Sequence, residues 1–166
     1  MRMLVLLMAL VVTSCGYMEN AYQRDMDNTR MRHVHAIADN ILLYREKNNH
    51  FPFQLEARER PVEVFISDRG IPGWLKEQMP QTGLSFKTHD ELEAELRTVV
   101  GEHYRLPSEP QKVETFAPNF YQYHVEPGYM CVSANLYFAN KNTQSVEGRY
   151  HKYQICARSN QPNTRT

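Results

Sequence analysis

Several things are scarce in this chain of 166 residues, and each scarcity closes a class of function. Neither charge is in excess, with 19 basic and 19 acidic residues and a pI near 7.1. No broad field therefore draws the chain to nucleic acid or to an acidic surface, and nucleic acid is not expected as a partner. No apolar run reaches the roughly 20 residues that a membrane-spanning helix requires. The unbroken run Leu4 to Val12 is too short. The phosphate-binding loop, the dinucleotide fingerprint, His-Glu-x-x-His and spaced cysteine pairs are all absent. Gly83-Leu84-Ser85-Phe86-Lys87 matches a nucleophile elbow at two of three fixed positions, but Lys87 stands where the second glycine belongs. The 7 histidines have no convergent spacing. These absences point away from an enzyme, and neither a cofactor nor a metal is expected. Tryptophan is limited to Trp74, which reads as a core residue more than as a partner anchor. With 42% apolar residues, the length fits one globular domain.

What is present begins at the N-terminus. Arg2 is a short basic region, Leu4 to Val12 an apolar one, and small residues follow. Val12-Thr13-Ser14-Cys15 has the aliphatic, small, small, cysteine order of a lipobox, so this stretch is similar to the signal peptides of bacterial lipoproteins. The resemblance implies removal of residues 1–14 and acylation of Cys15, which then attaches the chain to membrane lipid. Several acyl chains at about 0.8 kcal/mol per buried methylene make such an attachment effectively permanent. Gly16, in place of Asp, implies sorting to the outer membrane, facing the periplasm. A plain secretory signal with an incidental cysteine is the alternative.

Export changes the reading of the other two cysteines. Cys131 and Cys156 then form an even pair in an oxidising compartment, which favours a disulfide. The loop it closes is worth roughly 3 to 4 kcal/mol by chain entropy. The competing reading is a metal site with His124 and His151. On regular strands the odd separations His124 to Cys131 and His151 to Cys156 point each pair to opposite faces, which argues against metal.

Residues 15–32 are polar, free of Gly, Pro and Ser between Tyr17 and Arg32, and predict a membrane-proximal helical spacer. From Met31 the apolar positions Val34, Ile37, Ala38, Ile41, Leu42 and Tyr44 recur at three and four residues, predicting an amphipathic helix. Asn48 and Asn49 stop it and Pro52 prevents its resumption. His33 and His35 lie about 200° apart on it and read as surface histidines that share no metal. The stretch Ile37 to Pro52, with Tyr44-Arg45 and Phe51-Pro52, resembles the end of the long N-terminal helix of type II secretion pseudopilins and type IV pilin-like proteins. Asn49 stands at the family's usual glycine. Residues 119–136 look like the strands those proteins pack against the helix. The resemblance implies a pilin-like α+β fold, with a long N-terminal helix on a small antiparallel sheet. It does not extend to polymerisation, because the prepilin leader and the filament-forming apolar helix with its early Glu are missing.

Further along, residues 61–67 alternate as a strand, and residues 72–79 allow a short helix. Thr88-His89-Asp90-Glu91 is a capping box that opens a helix near 89–103 carrying Leu92, Leu96 and Val99 on one face. Asp90, Glu91, Glu93 and Glu95 read as a solvated face, with Glu93 paired to Arg97. Residues 107–118 read as a loop. A three-strand meander is expected over 120–125, 129–137 and 149–157, joined by a turn at Glu126-Pro127-Gly128 and a polar loop near 140–148. A solvent-facing row of Tyr121, Tyr123 and Tyr150 is the first place to seek a partner surface. The domain is bounded at 33–158, with a disordered tail at 159–166. The expectation is a lipid-anchored, non-enzymatic envelope protein that binds a protein partner or serves as a structural module. An immunity-type inhibitor lipoprotein and a small envelope hydrolase are its rivals.

Overall fold

The computed structural model describes residues 2–67, 77, 79–109, 120–146 and 150–159, without the side chains of 2–19, 81 and 146. Trp74, most of the proposed short helix at 72–79, most of the loop at 107–118 and the tail beyond Ser159 lie outside the described residues. The class is α+β. One long helix, α1 (Arg2–Asn48), and a second, α2 (His89–Val100), accompany six strands. These are β1 (Val62–Ile66), β2 (Ser85–Lys87), β3 (Tyr121–Glu126), β4 (Tyr129–Leu136), β5 (Thr143–Val146) and β6 (Tyr150–Arg158). They form one sheet in the order β2-β1-β3-β4-β6-β5. Among the described residues no helix is long and apolar enough to cross a membrane.

The apolar spacing of α1 becomes the spine of the core. Val34, Ile37, Ala38, Ile41 and Tyr44 are buried on the sheet together with Val62, Val64, Ile66, Val125, Met130, Val132 and Leu136. Beyond Asn48 the chain turns through Asn49 at φ 63°, in the left-handed region that Asn enters more readily than most residues. Phe53 also has positive φ, at 58°, which is uncommon for an aromatic. Its buried ring and the bond from Phe51 N to Gln54 Oε1, 2.9 Å, accompany that turn. In α2 both halves of the capping box form, with Thr88 Oγ1 accepting from Glu91 N and Glu91 accepting from Thr88 N. Leu92 and Leu96 are its fully buried residues.

The sheet departs from the expected antiparallel one in two places. β2 runs parallel to β1, from the segment that carries the failed nucleophile elbow. β5 forms inside the expected polar loop and takes the edge beside β6. The β3–β4 hairpin and the β4–β6 pairing match the meander, and Cys131 stands directly opposite Cys156. The two are joined by a disulfide with Cα atoms 4.1 Å apart.

The spacer boundary moves. Residues 20–32 are helical, but the helix joins the domain at Asp27 rather than at residue 33, because Asp27 and Arg30 are buried. Asp27 accepts from Tyr137 N at 2.9 Å and Phe138 N at 2.9 Å, the groups just past the end of β4. Arg30 bonds Asp27 and Glu109 and stacks over Tyr137. The guanidinium between two carboxylates and the two N–H groups on Asp27 leave no buried charge here without a partner, which is what allows charge at this depth.

Glu93 is a second correction. It is buried rather than solvated: it bonds Arg97 as expected, and also accepts from Leu106 N at 2.9 Å, tying the chain after α2 back onto the helix. Glu95 is likewise engaged, accepting from Tyr44 Oη at 2.7 Å.

Candidate functional site

Strand alternation divides the sheet into two faces. Odd-numbered Tyr121, Tyr123 and Val125 of β3 face the core, and so do Met130, Val132 and Ala134 of β4 and Tyr153 of β6. The expected solvent-facing row is thereby overturned: Tyr121 and Tyr123 are fully buried, and Tyr150, half-buried and edge-on to Tyr137, has the opposite parity. The reason is that Tyr121 and Tyr123 sit on the face α1 covers, and each hydroxyl finds a partner there. Tyr121 Oη is 2.7 Å from His33 Nδ1, and Tyr123 Oη donates to Pro52 O at 2.8 Å. His35 Nε2 is similarly 2.8 Å from Tyr153 Oη. The two histidines do face apart and share no ligand, but each clamps α1 to a different strand.

The opposite face carries the candidate site. The pairings align Phe86, Glu63, His124, Cys131 and Cys156 in one row across β2, β1, β3, β4 and β6. A second row runs Phe65, Gln122, Ser133, Gln154. Apart from Cys156, these residues line an open groove of about 410 Å³ together with Tyr129, Lys152, Leu84 and neighbours, apolar at the Phe65 and Phe86 end and polar toward β6. The rings of Phe65 and Phe86 lie nearly parallel, 5.9 Å apart.

His124 is the electrostatic centre of this face. Nδ1 is 2.8 Å from Glu63 Oε2 and Nε2 is 3.1 Å from Glu126 Oε1. The hydrogen bond to Glu63 above all, and then that to Glu126, raise its pKa from 6.5 against the opposing effect of burial. Protonated, it gives both N–H groups to carboxylates and has no lone pair left to act as a base. The arrangement is suited to binding and to holding charge. Tyr129 Oη lies 2.8 Å from Cys131 Sγ in the same groove.

By residue count alone, the odd separation of His124 and Cys131 puts them on opposite faces. The turn at 127–128 separates them onto paired strands, where they are direct neighbours on one face. Among the described residues no group of three His, Cys, Asp or Glu side chains is arranged to hold a metal ion, and both cysteines are in the disulfide. The Glu63–His124–Glu126 set was missed because Glu63 is 61 residues away in the chain from His124. Only the i, i+2 spacing of His124 and Glu126 hinted at it. Cys15 lies within the backbone of α1, in the part whose side chains are not described. Comparison with protein-family models, with characterised proteins and with solved structures finds no match.

Proposed function

We propose that the protein is a lipoprotein of the bacterial envelope, cleaved before Cys15, acylated on it and held at the outer membrane facing the periplasm, where it acts by binding a protein partner. The observation that carries this reading is the lipobox order Val12-Thr13-Ser14-Cys15 at the foot of the apolar run Leu4 to Val12. A helical connection supports it: α1 continues through Cys15 and is fastened to the sheet from Asp27 onward. At about 1.5 Å per residue, the helix between Cys15 and Asp27 is roughly 18 Å long, so a lipid at Cys15 holds the domain close to the bilayer. The groove on the open sheet face is the surface offered to the partner, in place of the buried tyrosines. Its mix of aromatic, amide and charged side chains is suited to a protein segment.

The test has two arms. Growth with labelled palmitate should label the protein, and Cys15→Ala should abolish the label and leave the precursor uncleaved; a wild-type chain that stays unlabelled sinks the anchor. A photo-crosslinker at Gln154, in the groove, should give a reproducible protein adduct in intact cells, whereas one at Glu46, on the exposed side of α1, should not. Equal yields from both positions would remove the groove from the proposal.

A further inference from the structure

The bridge between Cys131 and Cys156 lies on the open face of the sheet, outside the helix-covered core. Its two cysteines are unequally placed, since Cys156 is an exposed residue and Cys131 a half-buried one. The Cys131 sulfur has the Tyr129 hydroxyl 2.8 Å away, and a bridged sulfur carries no proton, so the hydroxyl is the donor. We propose that this bridge is a thiol–disulfide exchange site, at which an incoming thiolate attacks Cys156 Sγ and Cys131 departs as a thiolate held by the Tyr129 hydroxyl.

Exchange requires access to one sulfur and stabilisation of the charge that appears on the other. Exposed Cys156 meets the first need and Tyr129 the second. His124, opposite Cys131 in the row, has a different part. Its two ring nitrogens are engaged by Glu63 and Glu126, so it gives no proton to sulfur. When protonated, its single charge partly offsets those two carboxylates, which would otherwise repel both the arriving and the departing thiolate more strongly. Lys152, lining the same groove, adds a second cation.

The attacking thiolate forms a bond to Cys156 Sγ while the bond from Cys156 to Cys131 breaks, its electron pair going to Cys131. The second thiol of the same dithiol, as its thiolate, then displaces Cys156 from the mixed disulfide. The dithiol is oxidised by two electrons to a disulfide, and the two cysteines are reduced. The co-reactant is therefore a dithiol, and the groove beside the bridge has room for an extended segment that bears one. The inference does not depend on the anchor.

Reduced glutathione is the probe. The intact oxidised protein is incubated with it, free thiols are blocked with iodoacetamide, and the modified peptides are assigned by mass. Glutathione is expected on Cys156 and the blocking group on Cys131, at a rate proportional to glutathione thiolate and unaffected by urea below the unfolding transition. Tyr129→Phe removes a single oxygen and should slow the reaction about fivefold without moving its site, the value of one hydrogen bond. His124→Gln should slow it by a smaller factor. Glutathione found on Cys131, reduction that proceeds only at the rate of global unfolding, or Tyr129→Phe reacting as fast as the native protein would each overturn the proposal. The wild-type mapping needs no variant and decides the matter even if Tyr129→Phe fails to fold.

Discussion

The two faces of the sheet are built from the same strands and differ in nearly everything else. On the α1 side, Tyr121, Tyr123, Met130 and Val132 are sealed under the helix, and each tyrosine hydroxyl is matched to a single partner. On the other side, Glu63, Gln122, His124 and Gln154 form rows of hydrogen-bonding groups around an open groove. Alternation along a strand therefore announces two environments without saying which one the helix will cover. In β3 both sets contain aromatic or ring side chains, so only the packing partner separates core from surface.

The contrast is broken most severely by adjacent substitutions in β3. Tyr123→Ala removes a fully buried ring and leaves Pro52 O without its donor, so it should cost about 3 to 5 kcal/mol. Gln122→Ala, one residue earlier on the groove face, should cost less than about 1 kcal/mol. Urea unfolding of the disulfide-intact domain measures both. Similar losses would mean that the groove face is as tightly packed as the core.

A second break comes at the junction of α1 with the end of β4. Asp27→Ala strands two backbone N–H groups, of Tyr137 and Phe138, and leaves the buried Arg30 with one carboxylate fewer. The expected loss is about 3 kcal/mol. Truncation before Asp27 should preserve the fold and truncation before His33 should not, as read by the cooperativity of unfolding. A cooperative, undiminished transition from the shorter chain would return residues 20–32 to the status of a spacer.

Replacing both cysteines by serine acts on the groove face alone. It should lower stability by roughly 2 to 4 kcal/mol through the unfolded chain while leaving the sheet's circular dichroism intact. A loss no larger than that of Gln122→Ala would show that the bridge places little constraint on the unfolded chain.

These contrasts track what could be read in the residues beforehand. The helix from Met31 to Tyr44, the capping box at Thr88, the hairpin at 127–128 and the pairing of Cys131 with Cys156 follow from local spacing and redox parity, and all are present. β2 was illegible because three residues, Ser85 to Lys87, become a strand only by lying beside β1. Asp27 and Arg30 fall within the polar spacer of residues 15–32 because they are charged, although the 3–4 spacing of Val34, Ile37 and Ile41 extrapolates back through both positions. The tyrosines of β3 went to the wrong face because the parity of a strand fixes relative directions only. The groove was out of reach for a different reason: Glu63 and His124 meet through a strand register that no single stretch encodes.

The smallest effect expected, and the sharpest discriminator of the two faces, is the sign of their histidines' pH dependence. His124 has a folded pKa raised above 6.5 by Glu63 and Glu126. Its contribution is fully present below that value and is lost as pH rises through the folded pKa, so it favours the native state under mildly acidic conditions. His33 is the reverse case. Burial under the helix-covered face is the largest cause lowering its pKa below 6.5, against the attraction of Glu109. Its contribution is present above 6.5 and lost as pH falls through the lower folded value. Both rings are partly solvated, so each effect should stay under about 1 kcal/mol. Stability measured at a series of pH values should therefore show His124→Gln flattening the alkaline limb from 6.5 upward and His33→Gln flattening the acid limb below it. If both substitutions altered the same limb, the two histidines would share one environment, and the division of the sheet into a sealed face and an electrostatic one would fail at the groups that report on it most directly.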